Sequence, residues 1–247
     1  MTKGYLMDGK PGKSAVRSHF SVLRRVALFE GVDDARLDRL AREANPLTVR
    51  RGQIVISRGE RADCVFVIQR GRFKVATRDP QGQQLAINVL GAPELFGEVA
   101  IVDHGVRSAD VTALSTGTLL TIDRAAFVTL AHEHASIGWA LAVLVARRLR
   151  QLTERLKDRS FLDVEQRLAK RLHELAEDAV GIEGRVMPGT TISMSQRDLA
   201  EVVDASRERV NRQLASWSRE HILTMERRTI RLLNPDALRQ RAEASAR

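Results

Sequence analysis

The sequence predicts an α+β chain in three parts: a small antiparallel β-roll of jelly-roll type, one long amphipathic helix and a C-terminal winged helix-turn-helix. Three observations carry this reading. Between residues 46 and 127, short β-branched and apolar runs recur at roughly eight-to-twelve-residue spacing between turn residues. Ile137, Leu141, Val145, Leu149, Leu152 and Leu156 then repeat at spacings of three or four, as one face of a continuous helix does. Residues 192–233 read as helix, tight turn, helix and hairpin. The expected divisions are a flexible basic tail over 1–20, a β domain over 21–135, a linking helix over 136–160 and a last domain over 161–247.

Taken in order, residues 1–17 hold three glycines, a proline and several cations without periodicity, the composition of a flexible tail. Leu23, Val26, Leu28 and Phe29, then Leu37 and Leu40 behind Asp33-Asp34, suggest two short helices, the second capped by an aspartate. The strand signals are Ile54–Ile56, Val65–Ile68, Phe73–Val75, Leu85–Ile87, Val111–Leu114 and Leu119–Ile122. Gly52, Gly59, Gly71, Asp79–Gly82, Gly91 and Gly117 punctuate them. In the long helix, Arg147, Arg148, Arg150 and Arg155 are expected on the face opposite the apolar stripe. A helix of about 24 residues is about 36 Å long. That exceeds what one small barrel covers, so part of the stripe is expected to meet a twin helix in a homodimer. Asp163 is expected to cap a helix through Ala176, and residues 181–190 to form a loop.

Composition bounds the function. No apolar run reaches the roughly 18 residues that span a bilayer, so no membrane association is expected. The first twenty residues lack a signal core, so a cytoplasmic location is expected. The single cysteine, Cys64, excludes an internal disulfide and a cysteine-held cluster within one chain, so no metal or iron–sulfur centre is expected. His104 stands alone in a loop and is more simply a solvated histidine than a haem ligand. No phosphate-binding glycine loop with lysine and no catalytic constellation is present, which argues against an enzyme. The net charge is +9, yet residues 161–247 carry 15 basic and 14 acidic groups. Positive charge is concentrated locally, with six arginines against three glutamates over 207–228.

Two stretches carry chemistry. Ser195-Gln196-Arg197-Asp198 fits a capping box opening a short helix, Asp204-Ala205 a tight turn, and Ser206 the cap of a second helix to about Arg219. With Val210, Leu214 and Trp217 inward, Arg207, Glu208 and Asn211 point outward near the end that enters a major groove, and Arg212 lies on the flank. Arginine donates to guanine O6 and N7, and glutamate accepts from cytosine N4. Arg209 and the hairpin-tip Arg227-Arg228 suit phosphates. The second stretch, Leu95–Ala109, sets Glu98 behind Gly97 and brings Arg107 nine residues later into apolar surroundings. Either the two pair with each other, or a small polar ligand sits between them.

Over roughly residues 20–235 the chain resembles the cyclic AMP receptor protein/FNR family of bacterial regulators. The resemblance rests on Gly59, Gly71, Phe96-Gly97-Glu98 and Arg107-Ser108-Ala109, on Ala146–Leu149 and Phe161–Val164, and on Ser206–Arg212. It implies a cyclic-nucleotide-binding roll, a dimerisation helix and double-stranded DNA as partner, with RNA polymerase contacted at promoters. It implies a nucleotide site of Gly97, Glu98, Val99, Ala100, Arg107, Ser108 and Ala109. There Glu98 accepts from a ribose 2′-hydroxyl, and Arg107, with Ser108 and backbone amides, holds the cyclic phosphate. On the helix, Leu152 and Thr153 stand where the family contacts the base; Thr153 keeps a hydroxyl, whereas Leu152 offers only apolar contact. Cyclic AMP is the expected effector, with cyclic GMP second. Ser195, Gln196, Ser206, Arg207, Glu208, Arg209, Asn211, Arg212, Arg227 and Arg228 form the implied DNA surface, reading palindromes with TGTGA-like half-sites. The alternative is a ligand-independent regulator with a vestigial pocket.

Overall fold

The computed structural model describes residues 12–79, 81, 84–180 and 185–243. Most of the expected tail and the first part of the expected 181–190 loop lie outside these. The chain divides into two compact units. One runs to Thr77 and adds Asn88–Arg150; the other joins Arg78–Ile87 to the chain from Gln151 onward. No single helix among the described residues is long and apolar enough to cross a membrane.

In the first unit, strands β1 (Asn45–Val49), β8 (Gly117–Asp123), β3 (Cys64–Arg70) and β6 (Leu95–Phe96) form one sheet in that order. A second sheet runs β2 (Ile54–Ile56), β7 (Asp110–Ala113), β4 (Arg72–Arg78), β5 (Gln84–Gly91). The sequence of β3 is apolar without alternation because both its faces are covered. Cys64, Phe66 and Ile68 join a core with Phe73, Phe96 and Val111 of the roll. Val65 and Val67 turn the other way, into a core with Leu37, Phe127 and Ile137. Helices supply that second core: α1 (Lys13–Leu23), α2 (Asp34–Glu43), α4 (Arg124–Glu133) and the start of α5 (Ala135–Phe161). A short helix, α3 (Val99–Val102), follows β6.

Several boundaries differ from expectation. Helix α1 begins at Lys13, inside the stretch expected to be a flexible tail, because Val16, Phe20 and Leu23 find a core to pack on. Strand β1 carries Pro46, which hides it from a propensity reading; the strand pairs only with β8 and so sits at an edge, where a missing N–H is tolerated. Helix α4 joins the roll to α5 and was not expected.

Helix α5 is continuous over 27 residues. Its apolar stripe is buried only at the start. Ile137 is fully covered, whereas Val145, Leu149, Leu152 and Leu156 are 41–67% exposed.

In the second unit, Asp163 Oδ1 accepts from the Gln166 amide at 2.8 Å and Gln166 Oε1 accepts from the Asp163 amide at 2.9 Å. This reciprocal box starts α6 (Val164–Val180). Strands β9 (Thr191–Ser193), β11 (Thr229–Leu232) and β10 (Leu223–Glu226) make a three-stranded sheet in the order β10–β11–β9. Helices α7 (Gln196–Val203) and α8 (Arg207–Arg219) stand beside it, and an unexpected α9 (Pro235–Glu243) packs on α6. Trp217 is fully buried, and its Nε1 donates to Glu165 at 3.3 Å. Truncating it removes the largest side chain of this core. Trp217→Ala is expected to cost about 3–5 kcal/mol, read as a lower urea midpoint of the full chain at unchanged slope.

Candidate functional site

The loop from β6 to β7 is shaped by one glycine. Gly97 has φ +86°, a conformation that suits glycine, and a Cβ there would lie 2.7 Å from Arg107 Nη1. The guanidinium therefore rests directly on the loop backbone. Arg107 Nη1 donates to the Gly97 carbonyl at 2.8 Å and Nη2 donates to the Cys64 carbonyl at 2.8 Å. The group also lies over the Phe66 ring, 5.7 Å from its centroid. Burial pushes the Cys64 thiol up to about 12, so this cysteine is an inert core residue.

Glu98 is fully buried at the head of α3. It does not pair with Arg107. Its Oε1 accepts from Arg148 Nη1, while Arg148 Nη2 donates to the Leu95 carbonyl at 2.6 Å. Burial pushes the Glu98 carboxyl up; the Arg148 charge and, more weakly, Arg107 pull it back. Glu98 Oε2 is buried and has no hydrogen-bond partner among the described residues. The direct Glu98–Arg107 pair is not formed, because a third residue, Arg148, holds Glu98. Arg148 was expected on the face opposite the apolar stripe. The overlooked signal was its spacing, three residues after Val145 and four before Leu152, which puts it on the flank of the apolar stripe.

Gly97, Glu98, Ala100, Arg107 and Ala109 are thus brought together around one loop, with Val99 and Ser108 exposed on it. Leu152 and Thr153 lie on the later half of α5 and are exposed.

The second region is built by caps. Ser195 Oγ accepts from the Asp198 amide at 3.1 Å and donates to the Asp198 carboxylate. Asp204 takes the left-handed conformation, φ 52°, that turns α7 into α8. Ser206 accepts from the Arg209 amide at 3.3 Å. Val210, Leu214 and Trp217 face the core, which leaves Arg207, Glu208, Arg209 and Arg212 exposed. Arg227 and Arg228 are exposed at the β10–β11 turn. Among the described residues, none of these six side chains has a salt-bridge partner. Two expected members differ. Asn211 is half-buried, and its Oδ1 is buried with no hydrogen-bond partner among the described residues, rather than pointing outward. Gln196 Nε2 donates to Met225 Sδ at 3.7 Å, so it braces the hairpin.

A β-roll carrying such a loop, a long helix with an exposed apolar stripe and a winged helix-turn-helix together define a transcriptional regulator with a ligand-sensing domain. Residues 46–134 match the model of the cyclic nucleotide-binding domain, and residues 166–241 match that of the Crp-like helix-turn-helix domain. The chain is 30% identical over 221 residues to the CRP-like cAMP-activated global transcriptional regulator of Mycobacterium tuberculosis, covering 90% of this chain and 98% of that one. It is 28% identical over 178 residues to the cAMP-activated global transcriptional regulator CRP of Pasteurella multocida, covering 71% and 84%. The protein belongs to the CRP/FNR family, whose members are transcriptional regulators and not enzymes. Two solved structures share the fold. FixK2 of Bradyrhizobium japonicum superposes with a TM-score of 0.71 at 18% identity, over 82% of this chain and 99% of that one. The c-di-GMP-responsive regulator CLP of Xanthomonas campestris does so at 0.67 and 21%, over 81% and 99%.

The contact between Gly97 and Arg107 can be measured. Gly97→Ala is expected to cost about 1–2 kcal/mol from its positive φ alone, with a further steric cost against Nη1. In an Arg107→Ala background the steric part disappears. The double variant should therefore be less destabilised than the sum of the two singles in urea melts.

Proposed function

We propose that the protein is a homodimeric transcription factor switched by a cyclic mononucleotide, cyclic AMP first and cyclic GMP second. The observation that carries this is the Glu98–Arg107 loop. A buried carboxylate oxygen without a partner, beside a guanidinium held on a glycine backbone, is complementary to a ribose hydroxyl and a singly charged cyclic phosphate. Glu98 Oε2 accepts from the 2′-hydroxyl. Arg107 exchanges its carbonyl partners for the phosphate, assisted by Ser108 and the amides after Gly97. Cyclic AMP takes precedence because relatives of this chain are cAMP-activated regulators. Leu152 and Thr153 are the residues of α5 that would meet the base.

The exposed Val145–Leu156 stripe serves as the dimer seam. Two copies set their α8 helices about 34 Å apart, one turn of DNA. Arg207 and Glu208 then read half-sites resembling TGTGA, with Arg209, Arg212, Arg227 and Arg228 on phosphates and Ser195, Gln196 and Ser206 lining the helix starts. The protein acts in the cytoplasm and meets RNA polymerase at promoters. The ligand shifts the equilibrium only if it binds the DNA-competent arrangement more tightly.

One observation favours a second reading. Arg107 already has two carbonyl partners without a ligand, and Glu98 already has Arg148, as in a ligand-independent regulator with a vestigial pocket. Calorimetry with cyclic AMP and cyclic GMP decides between them. Cyclic AMP is expected to bind, and Arg107→Ala to weaken it roughly 10- to 100-fold. Absence of heat with either nucleotide establishes the ligand-independent reading. On the DNA side, Arg207→Ala is expected to cost about 1–3 kcal/mol and to relax discrimination at one guanine. Anisotropy titrations over single-base variants of the half-site read this, and unchanged preference removes Arg207 from base reading.

A further inference from the structure

Arg107 stands on two backbone supports. Its Nη2 donates to the carbonyl of Cys64, the first residue of β3. Its own main chain is clamped to the connection between β2 and β3: the Arg107 amide donates to the Glu60 carbonyl at 2.8 Å, and the Arg107 carbonyl accepts from the Gly59 amide at 2.9 Å. Val106, just before it, bridges to Arg61. The position of the guanidinium therefore depends on two connecting segments, 59–63 and 103–106.

One residue outside both segments holds both of them. Arg124 is half-buried at the first position of α4. Its amide donates to the Asp63 carbonyl at 2.8 Å, and its Nη1 donates to the Ala62 carbonyl at 3.4 Å. Its Nη2 lies 2.7 Å from Nδ1 of His104. A guanidinium can only donate, so Nδ1 is the acceptor and the ring proton sits on Nε2. His104 has φ 56°, a left-handed conformation that is costly for a residue with a side chain and persists where neighbours impose it. Beside it, Asp103 Oδ1 accepts from the Gly105 amide at 2.9 Å, which tightens the turn leading from α3 to Arg107. His104 is exposed, as the sequence suggested, but its ring is engaged by Arg124.

We propose that Arg124 is a positioning residue for the effector site: it ties His104 and the Ala62 and Asp63 carbonyls to the head of α4, and so presents the Arg107 guanidinium ready-placed for the cyclic phosphate. This rests on the reading of the Gly97–Arg107 loop as the nucleotide site. An arginine that exchanges carbonyl partners for an anion does so at less cost when its backbone is already ordered. Arg124 acts through Arg107 and His104 and makes no contact with the nucleotide itself.

The test reads the brace in two ways on the full chain. Without ligand, amide exchange is followed at Gly59 and Arg107. Arg124→Met keeps the aliphatic stem, and His104→Gly keeps the left-handed turn while removing the acceptor. Each should speed exchange at these two amides by about tenfold and leave the β3–β8 ladder unchanged. His104→Asn should restore slow exchange, because asparagine tolerates the left-handed region and places Oδ1 where Nδ1 stood. With cyclic AMP, calorimetry should show about tenfold weaker binding for Arg124→Met and His104→Gly, and near-wild-type binding for His104→Asn. In an Arg107→Ala background Arg124→Met should weaken binding no further, whereas a general loss of packing would add in both backgrounds. Unchanged loop exchange in both Arg124→Met and His104→Gly overturns the proposal. So does wild-type affinity in both, or an equal loss from Arg124→Met with and without Arg107. Absence of heat with the wild-type chain overturns the nucleotide reading instead, and loop exchange then still decides whether Arg124 braces Arg107.

Discussion

Everything in the sensing unit turns on how a buried carboxylate is held. Glu98 sits with no solvent contact inside a roll whose core is mostly aliphatic and aromatic, with Lys74, Arg107 and Thr121 as other buried polar residues. Removing a carboxylate from water costs several kcal/mol even after relaxation, and a single ion pair roughly offsets that cost at best. The pair with Arg148 is therefore poor evidence for stability. What it fixes is position. Arg148 reaches from α5 to both the Glu98 side chain and the Leu95 carbonyl, so one guanidinium spans the end of β6 and the start of α3. The loop that carries Gly97 and Arg107 is thereby tethered to the helix that continues out of the domain.

Arg107 follows the same logic by a different route. Its ion pair with the exposed Asp63 is long, 3.9 Å, and it relies chiefly on backbone carbonyls and an aromatic face. Carbonyl dipoles compensate a buried cation incompletely, and they can be surrendered to an anion without leaving a buried negative charge behind. A direct Glu98–Arg107 pair would lack that property, since separating it strands two charges at once. Two separately partnered groups on one loop are thus easier to open to a ligand than two groups locked together.

Much of this was legible in the sequence. Apolar runs flanked by glycines located six strands because β3, β4 and β8 are covered by packed cores. The caps Asp33, Asp163, Ser195 and Ser206 were readable because capping depends on two or three neighbouring residues. What escaped depends on distant neighbours. β1 is a strand because β8 offers it an edge, and β6 because two residues of β3 bond to it. In the candidate site, the loop and the recognition helix were found, but Arg148 was not. Its partner lies fifty residues earlier, and a helical wheel assigns an arginine to water by default. Asn211 was misplaced for the opposite reason: its ring of neighbours on α8 is polar, yet the fold half-covers it.

The same default hid Arg155. Along α5 the apolar stripe is largely exposed from Val145 onward, while two arginines outside it are drawn into protein surroundings. A helix in a resting globular domain normally shows the reverse arrangement, with apolar side chains covered and cations solvated. The exposed part of the stripe becomes favourable once a second apolar surface covers it. In the proposed homodimer a twin helix would supply that surface. The continuity of α5 from Ala135 to Phe161 leaves no loop within it to absorb a change at one end before the break at α6.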